Sequence, residues 1–175
     1  MVYIFLANGF EDVEVIQPRD LLLRAGIKVT TVGVGAKTVK SAFGLTVTAD
    51  ITEDELNLAD ADAVVFPGGM PGAANLAASP AVKNAIAFAL EHNRVISAIC
   101  AAPGVVLANT GALSGKNYTC FPGFEVSEGN YTAAKVERDG NLVTGNGPAA
   151  AAEFAAVVAG AITPKAEDLI RKMYK

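Results

Sequence analysis

VYIFLANGFEDVEVIQPRDLLLRAGIKVTTVGV, residues 2–34, is the stretch that decides the fold. Val2 to Ala7 is an unbroken apolar run with β-branched and aromatic side chains, as expected of a strand buried on both faces. From Glu11 to Ala25 the spacing becomes helical. Val13, Ile16 and the cluster Leu21 to Leu23 are the expected apolar side, and Gly26 stands where a helix ends. Ile27 to Val34 reads as a second strand. Strand, helix and strand make one βαβ unit, which favours a parallel sheet with right-handed crossovers.

The pattern continues outward from this unit. Lys37 to Asp50 alternates around a glycine and predicts a hairpin, and Thr52 with Glu55 predicts a capping box on a short helix. Ala63 to Phe66 is a buried strand cut off by Pro67-Gly68-Gly69. Pro80 opens a helix to about His92, Arg94 to Ile99 is another strand, and Ala101 to Asn109 is expected to be a helix ended by Gly111. Ala133 to Arg138 and Asn141 to Thr144 flank Asp139-Gly140, a strong hairpin signal. Pro148 to Gly160 and Pro164 to Tyr174 complete the helices. No linker or repeat divides the chain, so residues 1–175 are read as a single α/β domain, a doubly wound, mainly parallel sheet with helices on both faces. In such sheets ligands bind beyond the carboxyl ends of the strands, where residues 8–14, 67–72 and 100–104 fall.

Composition narrows the function classes. A chain of 175 residues with 51% hydrophobic content can fill a core, and 18% charged residues argue against disorder. The net charge of -4, without a basic run, argues against nucleic-acid and anionic-membrane partners. No apolar stretch reaches the roughly 20 residues that span a bilayer, and the start lacks the features of a signal peptide. Two cysteines and one histidine suggest neither a disulfide framework nor a zinc site. A cytoplasmic, reduced protein without metal or cofactor is expected.

Cys100 is the first candidate for chemistry. A strand ending in SAI-Cys and continuing as AAPGVVLAN leaves almost no loop, so Cys100 should sit in a tight elbow at a helix N-terminus. The helix dipole and free N–H groups there would favour the thiolate and lower its pKa; the same residue could equally be a small buried hydrophobe. Glu14, on the first turns of the preceding helix, lies at the same sheet edge. In a partly apolar pocket it would stay protonated and could donate a hydrogen bond to sulfur, or it is simply an acid favoured by the helix dipole, as Glu11 and Asp12 are. Gly68 and Gly69 either bring backbone N–H groups close to a ligand or form a plain turn.

These residues carry a family resemblance. LANGFEDVE, VVFPGG followed by GAANL, SAICAAPGVVLA and NLVTGNGPAAAAEFA together resemble the ThiJ/PfpI superfamily, in particular its DJ-1 (Parkinson-protein) branch, over nearly the whole chain. The resemblance implies a flavodoxin-like fold, a homodimer, an oxidation-sensitive nucleophile at Cys100 and a protonated carboxyl partner at Glu14. It also implies sulfur-facing N–H groups from Gly69 and Ala101, and a dimer-face arginine at Arg24. Two positions depart from the pattern. Ala101 stands where the peptidase-like relatives have histidine, so a protease is not expected. Phe121 stands where the DJ-1 branch has the histidine credited with proton transfer, and the lone His92 reads as a surface residue. Cys120 could act as a resolving thiol for Cys100 or be a core cysteine. Three functions follow as expectations. One is glyoxalase- or deglycase-type action on reactive dicarbonyls or their protein adducts. Another is redox sensing or chaperone-like action, with Cys100 oxidised to a sulfinic acid held by Glu14. The third is a small-molecule hydrolase or hydratase in which Phe121 and Phe124 shape an apolar pocket.

Overall fold

The computed structural model describes residues 1–174. Eleven strands are present among these residues: β1 Val2–Leu6, β2 Val29–Gly33, β3 Thr38–Lys40, β4 Thr46–Thr48, β5 Ile51–Thr52, β6 Ala63–Phe66, β7 Val95–Ile99, β8 Asn117–Tyr118, β9 Asn130–Tyr131, β10 Val136–Asp139 and β11 Leu142–Gly145. Six α-helices join them: α1 Asp12–Arg24, α2 Gly72–Ala78, α3 Pro80–Glu91, α4 Ala102–Val105, α5 Ala151–Ile162 and α6 Pro164–Met173.

The main sheet has the order β10-β11-β7-β6-β1-β2-β5. Every pairing in it is parallel except the β10–β11 hairpin around Asp139-Gly140. β1 and β6 are buried at every position, as the apolar runs require. Alternate residues feed two cores. Phe5, Val64, Phe66, Ile96 and Ala98 face one of them, with Leu76, Val82 and Ile86 from α2 and α3. Ile4, Leu6, Val65 and Ile99 face the other, with Val15 and Leu22 of α1, Phe154 and Val158 of α5, and Ile170 of α6. The chain leaves β1 for β2 on one side and later returns to β6 on the other, so the switch point lies between β1 and β6.

Local chemistry explains the boundaries. Glu11 accepts the Glu14 N–H at 2.9 Å and starts α1. Gly26 takes φ +80 and its N–H reaches the Leu23 carbonyl at 3.0 Å, closing α1 as expected. The Glu55 carboxylate accepts the Thr52 N–H at 2.8 Å and its hydroxyl at 3.0 Å, the predicted box, on a 3-10 turn over Glu53–Glu55.

Two expectations need correction. On α1 the buried residues are Glu14, Val15, Pro18, Leu21 and Leu22, whereas Val13, Ile16 and Leu23 are exposed by 41–44%. A carboxyl group takes the inward place that apolar periodicity assigned to its neighbours. The helix after Cys100 is also shorter than Ala101 to Asn109. The α-helix stops at Val105, the carbonyl of Phe124 packs directly against Gly104, and Asn109 adopts φ +59.

Candidate active site around Cys100

Cys100 is the first residue after β7 and adopts φ +64, a left-handed conformation that costs a non-glycine residue about 1–3 kcal/mol. Its surroundings hold it there. The Cys100 N–H donates to the Gly145 carbonyl at 2.9 Å, and its own carbonyl accepts the Phe121 N–H at 2.8 Å. The elbow is therefore fastened to the end of β11 and to the 119–124 loop, and the side chain stays partly accessible.

Glu14 reaches the same point from α1. It is fully buried, and its Oε2 accepts the Gly68 N–H at 2.8 Å. Its other oxygen, Oε1, has no partner. The Cys100 side chain lies close enough to the carboxyl group for each to shift the other's titration. Gly68 lies against both side chains: a Cβ there would come within 2.6 Å of the Cys100 Cβ and 2.8 Å of Glu14 Oε2. The N–H groups of Gly69 and Ala101 lie near enough to the sulfur to favour its thiolate. Loop 67–72 is in turn sewn to the loop that opens α1, through Glu11 N–H to the Gly68 carbonyl (3.1 Å) and Gly72 N–H to the Gly9 carbonyl (3.2 Å).

Electrostatics couples the two groups. Burial, partly offset by the Gly68 N–H, pushes the Glu14 carboxyl up to about 7. Burial first, then the charge of Glu14, pushes the Cys100 thiol up to about 12, against the pull of the Ala101 and Gly69 N–H groups. The lowered thiol pKa expected from the sequence is thus reversed. The helix behind Cys100 is a single turn, too short for a strong dipole, and an anionic Glu14 repels a thiolate. Both groups cannot be charged together at neutral pH. A proton on Glu14 removes the repulsion and turns the carboxyl into a donor to sulfur, so the pair carries one shared proton when the thiolate forms.

The other predicted residues fall around this centre or away from it. Phe121 is beside Cys100, 44% exposed, with its ring next to Gly147. Phe124 packs against the core on the α2 to α4 side. Cys120 is fully buried in that same core, whereas Cys100 packs against the opposite one, and both thiols are free. After mild peroxide we therefore expect sulfinic acid on Cys100 and no Cys100–Cys120 bond; an intact mass with a disulfide would reverse that assignment. Arg24 is exposed at the end of α1 and pairs with Asp20 at 2.8 Å. His92 stacks on Phe88 at 4.0 Å at the end of α3, away from Cys100. Gly145 was missed by sequence reasoning, because the role of its carbonyl depends on strand order alone.

A cavity of about 800 Å³ lies elsewhere, between α3 and residues 105–110, and is lined by Ile86, Leu90, Val105 and Val106 among others. No cysteine lines it, and the buried carboxyl beside a thiol marks Cys100 as the better candidate. Among the described residues no group of three His, Cys, Asp or Glu side chains could hold a metal, and no helix is long and apolar enough to cross a membrane.

Comparisons with known proteins agree with this architecture. The Parkinson disease protein 7 homolog of Danio rerio is 36% identical over 162 residues, covering 89% of this chain and 85% of that one. A Caenorhabditis elegans relative named glutathione-independent glyoxalase DJR-1.2 is 31% identical over 149 residues, covering 83% and 78%. The crystal structure of a cysteine-to-alanine mutant of a DJ-1 superfamily protein from Salmonella typhimurium superposes with a TM-score of 0.89 at 37% identity, covering 99% of this chain and 98% of that one. The family model described as DJ-1/PfpI matches residues 1–161, and with the flavodoxin-like sheet and the relatives above, the chain belongs to the DJ-1/PfpI family.

Proposed function

We propose that the protein is a cysteine-dependent enzyme acting on reactive dicarbonyls or their early adducts on protein amines, with Cys100 as nucleophile and Glu14 as proton carrier. The observation that carries this reading is the buried Glu14 carboxyl that meets the Cys100 side chain over Gly68 at a strained elbow. The name of the C. elegans relative supports the reaction class.

With methylglyoxal, the Cys100 sulfur adds to the aldehyde carbon, and the proton held by Glu14 goes to the resulting oxygen, giving a hemithioacetal. Ionised Glu14 then takes the proton from that carbon, and protonation of the neighbouring carbon leaves a lactoyl thioester. Water hydrolyses the thioester to lactate and returns the thiol. The aldehyde carbon is oxidised as the ketone carbon is reduced, so no outside redox partner enters. A positioned acid–base group contributes roughly 10² to 10⁴ in rate, and here Glu14 supplies it without a histidine.

The test is lactate formation from methylglyoxal by the purified protein. Cys100→Ala should fall to the uncatalysed rate, and equal rates for the two proteins would end the proposal.

A second reading rests on the unpartnered Glu14 Oε1. If Cys100 is oxidised, the protonated carboxyl can donate to a sulfinate oxygen, and the protein acts as a redox sensor. A reduced, cytoplasmic setting suits two free cysteines.

For assembly we propose a homodimer through the outer face of α1. Val13, Ile16 and Leu23 are exposed there, with Phe43 and Leu45 on the β3–β4 hairpin. The hairpin is tied to the start of α1 by Gly9 N–H to the Lys40 carbonyl and Ala42 N–H to the Phe10 carbonyl, each 2.8 Å. Sedimentation should give a dimer that Ile16→Glu weakens; a monomeric wild type would refute it.

A further inference from the structure

The chain contains two Asn–Gly pairs, Asn8–Gly9 and Asn146–Gly147, and both flank the Cys100 site. In such a pair the glycine lacks a Cβ that would screen its nitrogen, so that nitrogen can attack the asparagine side-chain carbonyl. The structure treats the two pairs differently.

Asn8–Gly9 is locked. Its side-chain oxygen accepts the Lys40 N–H at 2.8 Å, and the Gly9 N–H donates to the Lys40 carbonyl at 2.8 Å. The Asn8 carbonyl also accepts from the Asn75 side chain at 2.8 Å. At Asn146–Gly147, by contrast, neither the side-chain amide nor the glycine N–H has a hydrogen-bond partner among the described residues. The Asn146 side chain is half-buried, and its backbone is held by its N–H to the Lys135 carbonyl at 3.0 Å.

We propose that Asn146–Gly147 is a deamidation site that modifies the loop supporting Cys100. Gly147 is buried with the Phe121 ring against it, so the loop must open first. The Gly147 nitrogen then bonds to the Asn146 Cγ as its proton passes to solvent, and the Cγ–Nδ2 bond breaks to release ammonia. Water then opens the resulting succinimide at either carbonyl, leaving aspartate or isoaspartate. Atoms balance with water alone as co-reactant, and no oxidant takes part.

The position gives the modification a consequence. Gly145, one residue before Asn146, supplies the carbonyl that holds the Cys100 N–H, and the Phe121 ring lies next to Gly147. Aspartate brings a negative charge to the elbow, which disfavours the thiolate. Isoaspartate lengthens the backbone by one carbon beside the Cys100 anchor. Either product should slow the reaction of Cys100 with an alkylating reagent.

The experiment incubates the intact protein in mildly alkaline buffer and follows both peptides by mass spectrometry, with separation of aspartyl from isoaspartyl products. The Asn146 peptide should convert first. The two bonds to Lys40 at Asn8–Gly9, each worth about a factor of five, should slow that pair by roughly 25-fold. Conversion of Asn8 at an equal or higher rate overturns the proposal. So does an Asn146 that keeps its amide while the urea-unfolded chain loses it. Asn146→Gln should abolish the conversion, and Asn146→Asp should alkylate at Cys100 more slowly than wild type. An unchanged alkylation rate for Asn146→Asp and for the converted protein would remove the link to Cys100.

Discussion

Gly69→Ala is expected to lower the melting temperature by about 4–20 °C and to disable Cys100 at the same time. Gly69 adopts φ +82, and a Cβ there would lie 2.5 Å from the Glu11 nitrogen, 2.5 Å from the Gly9 oxygen and 2.7 Å from the Phe10 carbonyl carbon. All three are backbone atoms, so no side chain can swing away. The left-handed conformation costs an alanine about 1–2 kcal/mol, and overpacking adds about 1–3 kcal/mol or more. About 2–5 kcal/mol in total converts to the stated shift at about 2–4 °C per kcal/mol for a chain of this size. Gly26→Ala is the control: φ is +80 there too, but nothing lies within 4 Å of the added Cβ, so only the conformational part is lost. The clash also separates loop 67–72 from the start of α1, which moves the Gly69 N–H from the sulfur and Gly68 from Glu14. Thermal melts of both variants, with alkylation rates at Cys100, check this. A Gly69→Ala drop no larger than that of Gly26→Ala would show that the loops can part without cost.

The legible parts of this molecule are those whose cause is local. β1 and β6 were readable because strands covered on both faces need continuous apolar runs, and Gly26 and Asp139-Gly140 because their backbone conformations favour those residues. α2 was missed because GAANLAA is a short segment between a glycine turn and Pro80, and β5, β8 and β9 because two residues carry no period. The α1 faces were misread for a deeper reason. Hydrophobic periodicity ranks a glutamate as outward, yet Glu14 is buried where Val13, Ile16 and Leu23 are not. The direction of the thiol shift was misread because it depends on a long-range neighbour and on α4 stopping after one turn, neither of which is written in SAICAAPG. The meeting of Cys100, Glu14 and Gly68 was legible only through strand order and family resemblance, since those residues are far apart in the chain.

Glu14→Gln should alter the pH dependence of stability more than any other single substitution at the site. Burial raises the Glu14 carboxyl from 4.5 to about 7. The native state therefore holds this proton more tightly than the unfolded chain does. The stability linked to it is complete below pH 4.5 and is lost as pH rises through about 7. Each pH unit between the two values is worth about 1.4 kcal/mol, so the interval amounts to about 3 kcal/mol, or about 6–12 °C in melting temperature. Glutamine fills the same volume, can accept the Gly68 N–H, and does not titrate. Melting curves between pH 4.5 and 8 should therefore show the variant gaining on wild type by about that amount. Other acids, such as Asp50 and Asp139 with their lowered values, are common to both proteins and cancel in the difference. The same titration should reach the sulfur. Above pH 7 the wild-type carboxylate opposes the thiolate, while the glutamine amide still donates to it, so alkylation of Cys100 should be faster in the variant there and the two rates should converge below pH 7. Parallel melting curves would mean that Glu14 ionises without penalty, and the shared proton on which the proposed chemistry depends would not exist.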